Sequence, residues 1–238
     1  NSAKTGGAID TKTKVGIQMT VADSTFSANT ATTNGGAINL MDTNTMTATN
    51  TAFTGNKTTK SAANKGGAAV YVANTSASFD GCTFTENTVA GNTDSVGGAL
   101  CFYAVSASQT AITVSGSTFT GNTAPNGGAI GLSDSGSFRS GRAIVNWTDC
   151  SFTGNSAAGK GGAIAIPYSC ENAMHCVVTL SGCTYSGNTA AQEPDFYSAD
   201  KLNITVDGKV LDPSTTTGNP NYVAYTDVSV VPNVTDSA

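Results

Sequence analysis

The 238-residue sequence has little charge, few aromatic side chains and very little histidine or proline. Only 11% of its residues are charged and 7% are aromatic, with six prolines and one histidine. So few large apolar residues would suggest disorder, but disordered chains are usually rich in charge and proline, and both are scarce here. Hydrophobic residues reach 39% and occur in short β-branched runs. This composition favours thin, repetitive β-structure around a narrow core.

These shortages also exclude several classes of partner. The 11 basic residues are scattered singly in a chain of net charge −5, whereas phosphate binding needs clustered Lys and Arg, so no nucleic-acid partner is expected. No stretch approaches the roughly 18 apolar residues of a membrane span. The single His175 and the absence of C-x-x-C spacing argue against a zinc site. No metal or other cofactor is predicted.

An aromatic residue followed three positions later by asparagine recurs along the chain with a period of about 31 residues. The aromatic positions are Phe26, Phe53, Phe84, Phe119, Phe152 and Tyr185. The asparagines are Asn29, Asn56, Asn87, Asn122, Asn155 and Asn188. Gly-Gly pairs with the same period begin at Gly6, Gly35, Gly66, Gly97, Gly127 and Gly161. Such regular recurrence indicates a solenoid.

Apolar columns flank both motifs. Seven and five residues before the aromatic position stand pairs such as Val145 and Trp147, and after the glycines stand pairs such as Ile38 and Leu40. In the third repeat this second pair is read as Ala69 and Tyr71. Alternation with period two is typical of a strand with one buried face. The phase slips at turn residues before each aromatic position, which predicts a corner there and three short strands per repeat.

The pattern predicts an all-β fold, a single-stranded parallel β-helix of about seven coils of about 31 residues. Residues 1–208 are assigned to the coils, and 209–238 to a C-terminal tail with a strand over 222–231, which serves either as a cap or as an inter-subunit strand. In this stack the asparagine column is expected to form a ladder of amide hydrogen bonds. The glycine pairs are expected to mark a corner that needs φ > 0 or close backbone approach.

Two repeats carry a family resemblance. Residues 119–122 with 127–130, and 152–155 with 161–164, resemble the repeats of chlamydial polymorphic membrane proteins. The repeats are also similar to those of right-handed β-helix adhesins. The resemblance covers residues 6 to about 206 and implies a right-handed β-helix at the cell surface. It implies less about function, because such repeats serve adhesion, coats and surface fibres alike.

No catalytic residues are predicted. Polysaccharide-cleaving β-helices need carboxylates clustered on one strand face. Glu86, Glu171 and Glu193 share no column, and His175 lies in an insertion. The aspartates occur mainly singly, at turns: Asp23, Asp42, Asp80, Asp94, Asp134 and Asp149. The sequence therefore predicts a protein that is not an enzyme.

Six cysteines, an even number, fit an oxidising compartment. Cys150 and Cys183 share an inward column in adjacent coils, about 5 Å apart at Cα, which a disulfide tolerates. Cys82 is expected to point inward and Cys101 outward, so that pairing is not favoured and Cys82 is a candidate free thiol. The candidate pairs are Cys150 with Cys183, Cys170 with Cys176, and Cys82 with Cys101.

N-x-S/T sequons predict N-glycosylation. Asn146 is the strongest acceptor, because its side chain is expected to point outward between inward-facing Val145 and Trp147. The sequon at Asn56 falls in the ladder and is expected to be buried. The other candidates are Asn74, Asn203 and Asn233.

The two ends of the repeat suggest a function. Residues 1–5 run into the first glycine pair without a cap, and the other end carries the tail. Open solenoid ends expose unpaired backbone groups, and head-to-tail contacts between copies would satisfy them. We therefore expect an extracellular, glycosylated, non-enzymatic structural protein, the subunit of a head-to-tail surface filament or coat. The alternative is an adhesin whose side loops, 104–110, 133–143 and 167–176, contact a host surface or glycans.

Overall fold

The computed structural model describes residues 1–11, 16–42, 44–104, 109–134, 142–167, 176–198, 203–212 and 222–224. All regular structure within these ranges is β-strand, and it forms four sheets along one axis. Almost every strand pairs in parallel with its copy one coil away. The predicted all-β parallel β-helix is therefore confirmed. The described residues contain no helix long and apolar enough to cross a bilayer.

Each coil passes through sheets D, A, B and C in that order. Sheet A contains β1 (Ser2–Ala3), β5 (Thr30–Ala31), β9 (Lys57–Ser61), β13 (Thr88–Gly91), β17 (Thr123–Ala124) and β21 (Ser156–Ala157). Sheet B contains β2 (Ile9–Asp10), β6 (Ile38–Met41), β10 (Val70–Ala73), β14 (Leu100–Ala104), β18 (Ile130–Asp134), β22 (Ile164–Ile166) and β25 (Phe196–Ser198).

The other two sheets complete the coil. Sheet C contains β3 (Gln18–Ala22), β7 (Thr45–Thr49), β11 (Ala77–Asp80), β15 (Gln109–Ser115), β19 (Arg142–Thr148), β23 (Cys176–Ser181), β26 (Asn203–Val206), β27 (Lys209–Asp212) and β28 (Tyr222–Ala224). Sheet D contains β4 (Thr25–Ser27), β8 (Ala52–Thr54), β12 (Thr83–Thr85), β16 (Thr118–Thr120), β20 (Ser151–Thr153) and β24 (Thr184–Ser186).

Two details of the predicted coil are wrong. Each full coil has four strands rather than three, because the short strands of sheet A follow each ladder asparagine. The number of complete turns is also lower than seven. Ladder asparagines in neighbouring coils are 27 to 35 residues apart, and five such turns separate Asn29 from Asn188, with partial coils beyond them.

Stacked aromatic rings form the axis of the core. Phe26, Phe53, Phe84, Phe119, Phe152 and Tyr185 occupy one register position of sheet D. Successive ring centroids lie 4.7 to 5.2 Å apart, with interplanar angles of 4° to 10°. The predicted columns of sheet C also align, with Trp147 between Val114 and Leu180. Parallel in-register pairing therefore repeats the same contact in every coil.

The corner before each aromatic position is a single left-handed residue. Its φ is 49° at Asp23, 46° at Asn50 and 52° at Asp149. Asn and Asp tolerate this region better than other side chains, and glycine adopts it freely. Glycine takes the position in the remaining full coils, at Gly81, Gly116 and Gly182. The predicted turn residues therefore mark a corner.

The third coil differs from its predicted alignment by one residue. Gly67, not Gly66, takes the left-handed glycine position, with φ of 63°. As a result Val70 and Val72 enter the core columns in place of Ala69 and Tyr71. The shift puts two larger aliphatic side chains inside the solenoid and turns the tyrosine outward.

An outward-facing cluster covers part of sheet B. Although it lies outside the main core, its central side chains are fully buried, and Lys65 lies 5.6 Å from the ring centroid of Tyr103. Its members are Tyr71, Ala73, Val96 and Cys101, with Met41 and Tyr103 packed against them.

The C-terminal end of sheet C departs from the solenoid. After β26 the chain turns at Asp207 and Gly208, and β27 pairs antiparallel with β26. β28 then pairs in parallel with β27. Residues 222–224 of the predicted tail strand form β28, whereas 225–231 lie outside the described residues.

Candidate functional site

The ladder asparagines are linked by hydrogen bonds along the whole stack. The side-chain amide of each donates to Oδ1 of the next asparagine at 2.9 to 3.0 Å. The backbone N–H donates to the same oxygen. From Asn56 onward the side-chain amide also donates to the aromatic residue's carbonyl one coil earlier, as from Asn122 to Phe84 at 2.9 Å. Asn56, Asn87, Asn122 and Asn155 are completely buried.

Two further residues extend this ladder, and both are absent from the sequence-based set. Asn1 donates to Asn29 Oδ1 at 3.2 Å. Its following residues, Ser2 and Ala3, repeat the Asn-Ser-Ala of residues 155–157, a signal that could have revealed it. At the other end Asn188 donates to Asp195 Oδ1 at 2.8 Å. Because the N–H groups that link one asparagine to the next point toward this end, a carboxylate there is electrostatically favourable.

In every coil except the third, the two glycines of a pair have different roles. The first is left-handed, as at Gly127 with φ of 60°. The second permits close approach of the next coil, because a Cβ added to Gly128 would lie 2.1 Å from the carbonyl oxygen of Gly162. Both expected reasons for the glycine pair therefore apply, one at each position.

The two ends of the stack present the same columns. At the N-terminal side Ile9, Met19 and Phe26 are half-buried against the core. At the opposite side Tyr185 is half-buried, whereas Phe196 is buried. Each end is therefore a partial copy of the interior, with apolar and ladder positions at matching places.

Comparison with protein families identifies the fold. The model of the right-handed β-helix region matches residues 8–146, more than half of the chain. The chain belongs to the right-handed β-helix family. The Chlamydia polymorphic membrane protein repeat matches residues 149–167, which contain Phe152, Asn155 and the Gly161 pair. The comparisons with curated proteins and with solved structures found no match.

The β-helix brings two of the predicted cysteine partners together. Cys150 and Cys183 lie in adjacent coils, one position before the paired residues Ser151 and Thr184. Both are buried free thiols. The neighbouring Cys183 thiol, together with burial, raises the pKa of Cys150. The Cys150 thiol in turn lowers the pKa of Cys183.

The second described pair is kept apart. Cys82 lies in the main core, and Cys101 lies in the outward-facing cluster on sheet B. Both are free thiols in the structure. Burial raises the pKa of Cys101 to about 12, and it raises the pKa of Cys82 as well. Cys170 lies outside the described residues, as does the side chain of Cys176, so their pairing stays a prediction.

Several acidic residues singled out from the sequence have local structural roles. Asp23, Asp42 and Asp149 are left-handed turn residues, and Asp80 accepts a hydrogen bond from the Ser115 hydroxyl at 2.7 Å. Glu86 is also a left-handed turn residue. Within the described ranges no three His, Cys, Asp or Glu side chains are grouped to hold a metal ion. His175 and Glu171 lie outside those ranges.

The sequons occupy different environments in the β-helix. Asn146 is half-exposed on the outer face of sheet C, between buried Val145 and Trp147. Asn74 is a half-exposed turn residue with φ of 56°. Asn56 is buried in the ladder. Asn233 lies outside the described residues, as does the side chain of Asn203.

Proposed function

We propose that this β-helix is a non-enzymatic structural protein of the cell surface, and that its copies stack head to tail into a filament or coat. The observation that carries the proposal is the match between the two ends of the solenoid. A copy placed on the C-terminal end would bring its half-exposed Ile9 and Met19 against the last coil of the core. Such a contact is heterologous and does not close, so it produces a fibre.

The backbone supports the same arrangement. The edge strand β4 is paired on one side only among the described strands. The backbone carbonyl of Ser24 accepts a hydrogen bond from the N–H of Ala52, and the N–H of Ala28 donates to the carbonyl of Thr54. These groups of Ser24 and Ala28 therefore face the neighbouring coil. Alternation along the strand therefore turns the N–H groups of Thr25 and Ser27 to the free edge. Unpaired edges of this kind are templates for a further chain.

The matched repeat supports the proposed surface location. The repeat matched at residues 149–167 is named for membrane proteins of Chlamydia. By analogy, the proposal places this chain at the cell surface. Asn146 is the first candidate for a covalent glycan, because its side chain lies on an outer sheet face. Intact-mass analysis of native material tests for the glycan, and a mass equal to that of the unmodified chain would contradict glycosylation.

Sedimentation velocity and negative-stain microscopy over a concentration series test the stacking. We expect rods that lengthen with concentration. Met19→Lys puts a charge on the end face and should abolish assembly, whereas Thr113→Lys, on the outer face of an inner coil, should not. Circular dichroism checks that both variants fold. Dispersed monomers at the highest concentration would contradict the proposal.

The adhesin alternative depends on the side loops. Residues 105–108, 135–141 and 168–175 of those loops lie outside the described residues, so this function stays a prediction. A glycan array separates the two functions, because a structural stalk gives no selective binding whereas an adhesin binds a defined glycan.

A further inference from the structure

Sheet D, like sheet A, has six described strands, one fewer than the parallel coil strands of sheets B and C. Sheets B and C each have seven parallel coil strands, whereas sheet D ends at its sixth strand, β24. The chain path of every earlier coil runs from sheet C to the next strand of sheet D. After β26 in sheet C, the next strand would therefore lie at the edge of β24, on top of the Tyr185 ring. No described strand occupies that edge.

The spacing of the repeat shows which residues would fill this position. The aromatic residue comes five residues after the second apolar position of sheet C, as from Trp147 to Phe152. The equivalent of Trp147 in the last coil is Val206, which continues the column through Leu180. Five residues after Val206 stands Leu211, in β27. By sequence spacing, β27 is the missing strand of sheet D.

The turn before β27 explains why it lies elsewhere in the isolated chain. The other corners between sheets C and D have one left-handed residue, as at Asp149. Here both Asp207 and Gly208 are left-handed, with φ of 48° and 76°. Two consecutive positive φ values in an Asp-Gly pair define a type I′ hairpin turn. The turn folds β27 back onto β26, where it covers the C-terminal edge of the solenoid strand.

A second copy would compete for the edge that β27 covers. Stacked on the C-terminal end, its strands β1, β2 and β3 would continue sheets A, B and C. Its β4 follows β3 in the chain and belongs one level higher. The level of sheet D next to β24 would remain vacant between the two copies.

We infer that β27 changes place when copies of this chain stack head to tail. In the isolated chain β27 is a hairpin strand on β26. In the assembly β3 of the next copy takes the edge of β26, and β27 takes the vacant edge of β24, with Leu211 in the aromatic column. Two residue pairs hold β27 on β26, Thr205 with Val210 and Val206 with Lys209. The other edge of β27 pairs with β28, which would leave β26 together with β27. This inference rests on the proposed head-to-tail function and names the strand that controls it.

A reversible crosslink tests the exchange. Val206 and Lys209 flank the two-residue turn, so Thr205 and Val210 form the next, non-hydrogen-bonded pair, whose Cα separation of about 4.5 Å suits a disulfide. The variant is Thr205→Cys with Val210→Cys, in a Cys170→Ser, Cys176→Ser background. Oxidised glutathione takes two electrons as the two thiols lose their protons and form the S–S bond. Dithiothreitol reverses the reaction.

We expect the oxidised variant to remain monomeric at concentrations where the reduced variant and the parent background form rods. If the oxidised variant assembles as readily as the reduced one, the strand exchange is wrong and the head-to-tail function stands. If the parent background and the wild type form no rods at any concentration, both are wrong. Sedimentation velocity distinguishes these outcomes.

A turn variant gives an independent measurement. Gly208→Val disfavours the left-handed turn and should lower the concentration needed for assembly. The matched control is Gly154→Val, which replaces a left-handed glycine in an inner coil and should leave that concentration unchanged. Hydrogen exchange reports the fold of both variants. An unchanged or raised assembly concentration for Gly208→Val would overturn the exchange.

Discussion

The inner coils and the last coil of this β-helix contain the same columns but satisfy them differently. Asn122, in an inner coil, donates to the neighbouring asparagine and to Phe84, and its Oδ1 accepts from Asn87. Asn188, in the last coil, donates to Asp195 in place of a further asparagine. In the inner coils the ladder hydrogen bonds are completed by asparagines of the neighbouring coils, whereas at the C-terminal end Asp195 takes the place of a further asparagine.

Because of this difference, substitutions in the inner coils and at the ends should affect stability and assembly to different extents. A residue in an inner coil contacts equivalent residues on both sides, so a change there affects two interfaces. A residue at an end affects one interface within the chain and, in the proposed filament, one between copies. The same substitution should therefore lower the free energy of unfolding more in an inner coil and impair assembly more in a terminal coil.

The aromatic stack should show the largest contrast. Phe119→Ala removes a buried ring stacked on two others and should destabilise the fold by about 4 kcal/mol. Phe26→Ala removes a half-exposed ring with one stacked neighbour and should cost about half as much. Urea unfolding followed by circular dichroism measures both. Equal losses would show that the middle and the end of the stack are energetically alike.

The second glycine of a pair gives the next contrast. Gly128→Ala places a methyl group against the carbonyl of Gly162 and should cost about 3 kcal/mol through overpacking. Gly154→Ala meets no atom within 4 Å, and its cost is limited to the left-handed backbone, about 1 kcal/mol. Thermal unfolding of the two variants tests this order. A milder effect at Gly128 would mean that neighbouring coils can move apart.

The ladder provides a smaller contrast. Asn122→Ala leaves buried partners without hydrogen bonds in both neighbouring coils and should cost about 3 kcal/mol. Asn188→Ala affects partners nearer the end, where water replaces part of the loss, and about 1 kcal/mol is expected. The comparison uses the midpoint and slope of urea unfolding. If Asn188→Ala is the more damaging variant, the ladder depends on its Asp195 end.

The outward-facing cluster should respond to alkaline pH. Its buried Cys101 has a pKa raised to about 12, above that of an unfolded cysteine, so the unfolded state loses its proton first. The contribution is complete below the unfolded pKa and is lost as pH rises toward the folded value. Cys101→Ala should flatten the decline of unfolding free energy by about 1.4 kcal/mol per pH unit above pH of about 9. If the slope of unfolding free energy against pH is the same in the variant and the wild type, the pKa of Cys101 is not raised by burial.

Much of the fold could be predicted because one coil repeats. Six aromatic and six asparagine positions fixed the sheet D register, and the alternating apolar residues fixed that of sheet C. Sheet A was missed because its strands are as short as two residues, too few to show alternation. In the third coil the letters Gly66-Gly67 matched the motif, but the larger Val70 and Val72 decided the register.

The ends could be predicted less well, because no second copy of their arrangement exists in the chain. The hairpin depends on two left-handed residues, and Asp207-Gly208 resembles the single-residue corners of other coils. The contact between Asn188 and Asp195 joins residues from different columns. Burial of Cys101 could not be read from alternation, which places its side chain outward without showing that the cluster around Val96 covers it.

Negative-stain microscopy of the purified 238-residue chain over a concentration series is the decisive test of head-to-tail stacking. Stacking predicts unbranched rods of one width whose length increases with concentration, and Met19→Lys should abolish them. Separate particles of single-chain size at every concentration would contradict it.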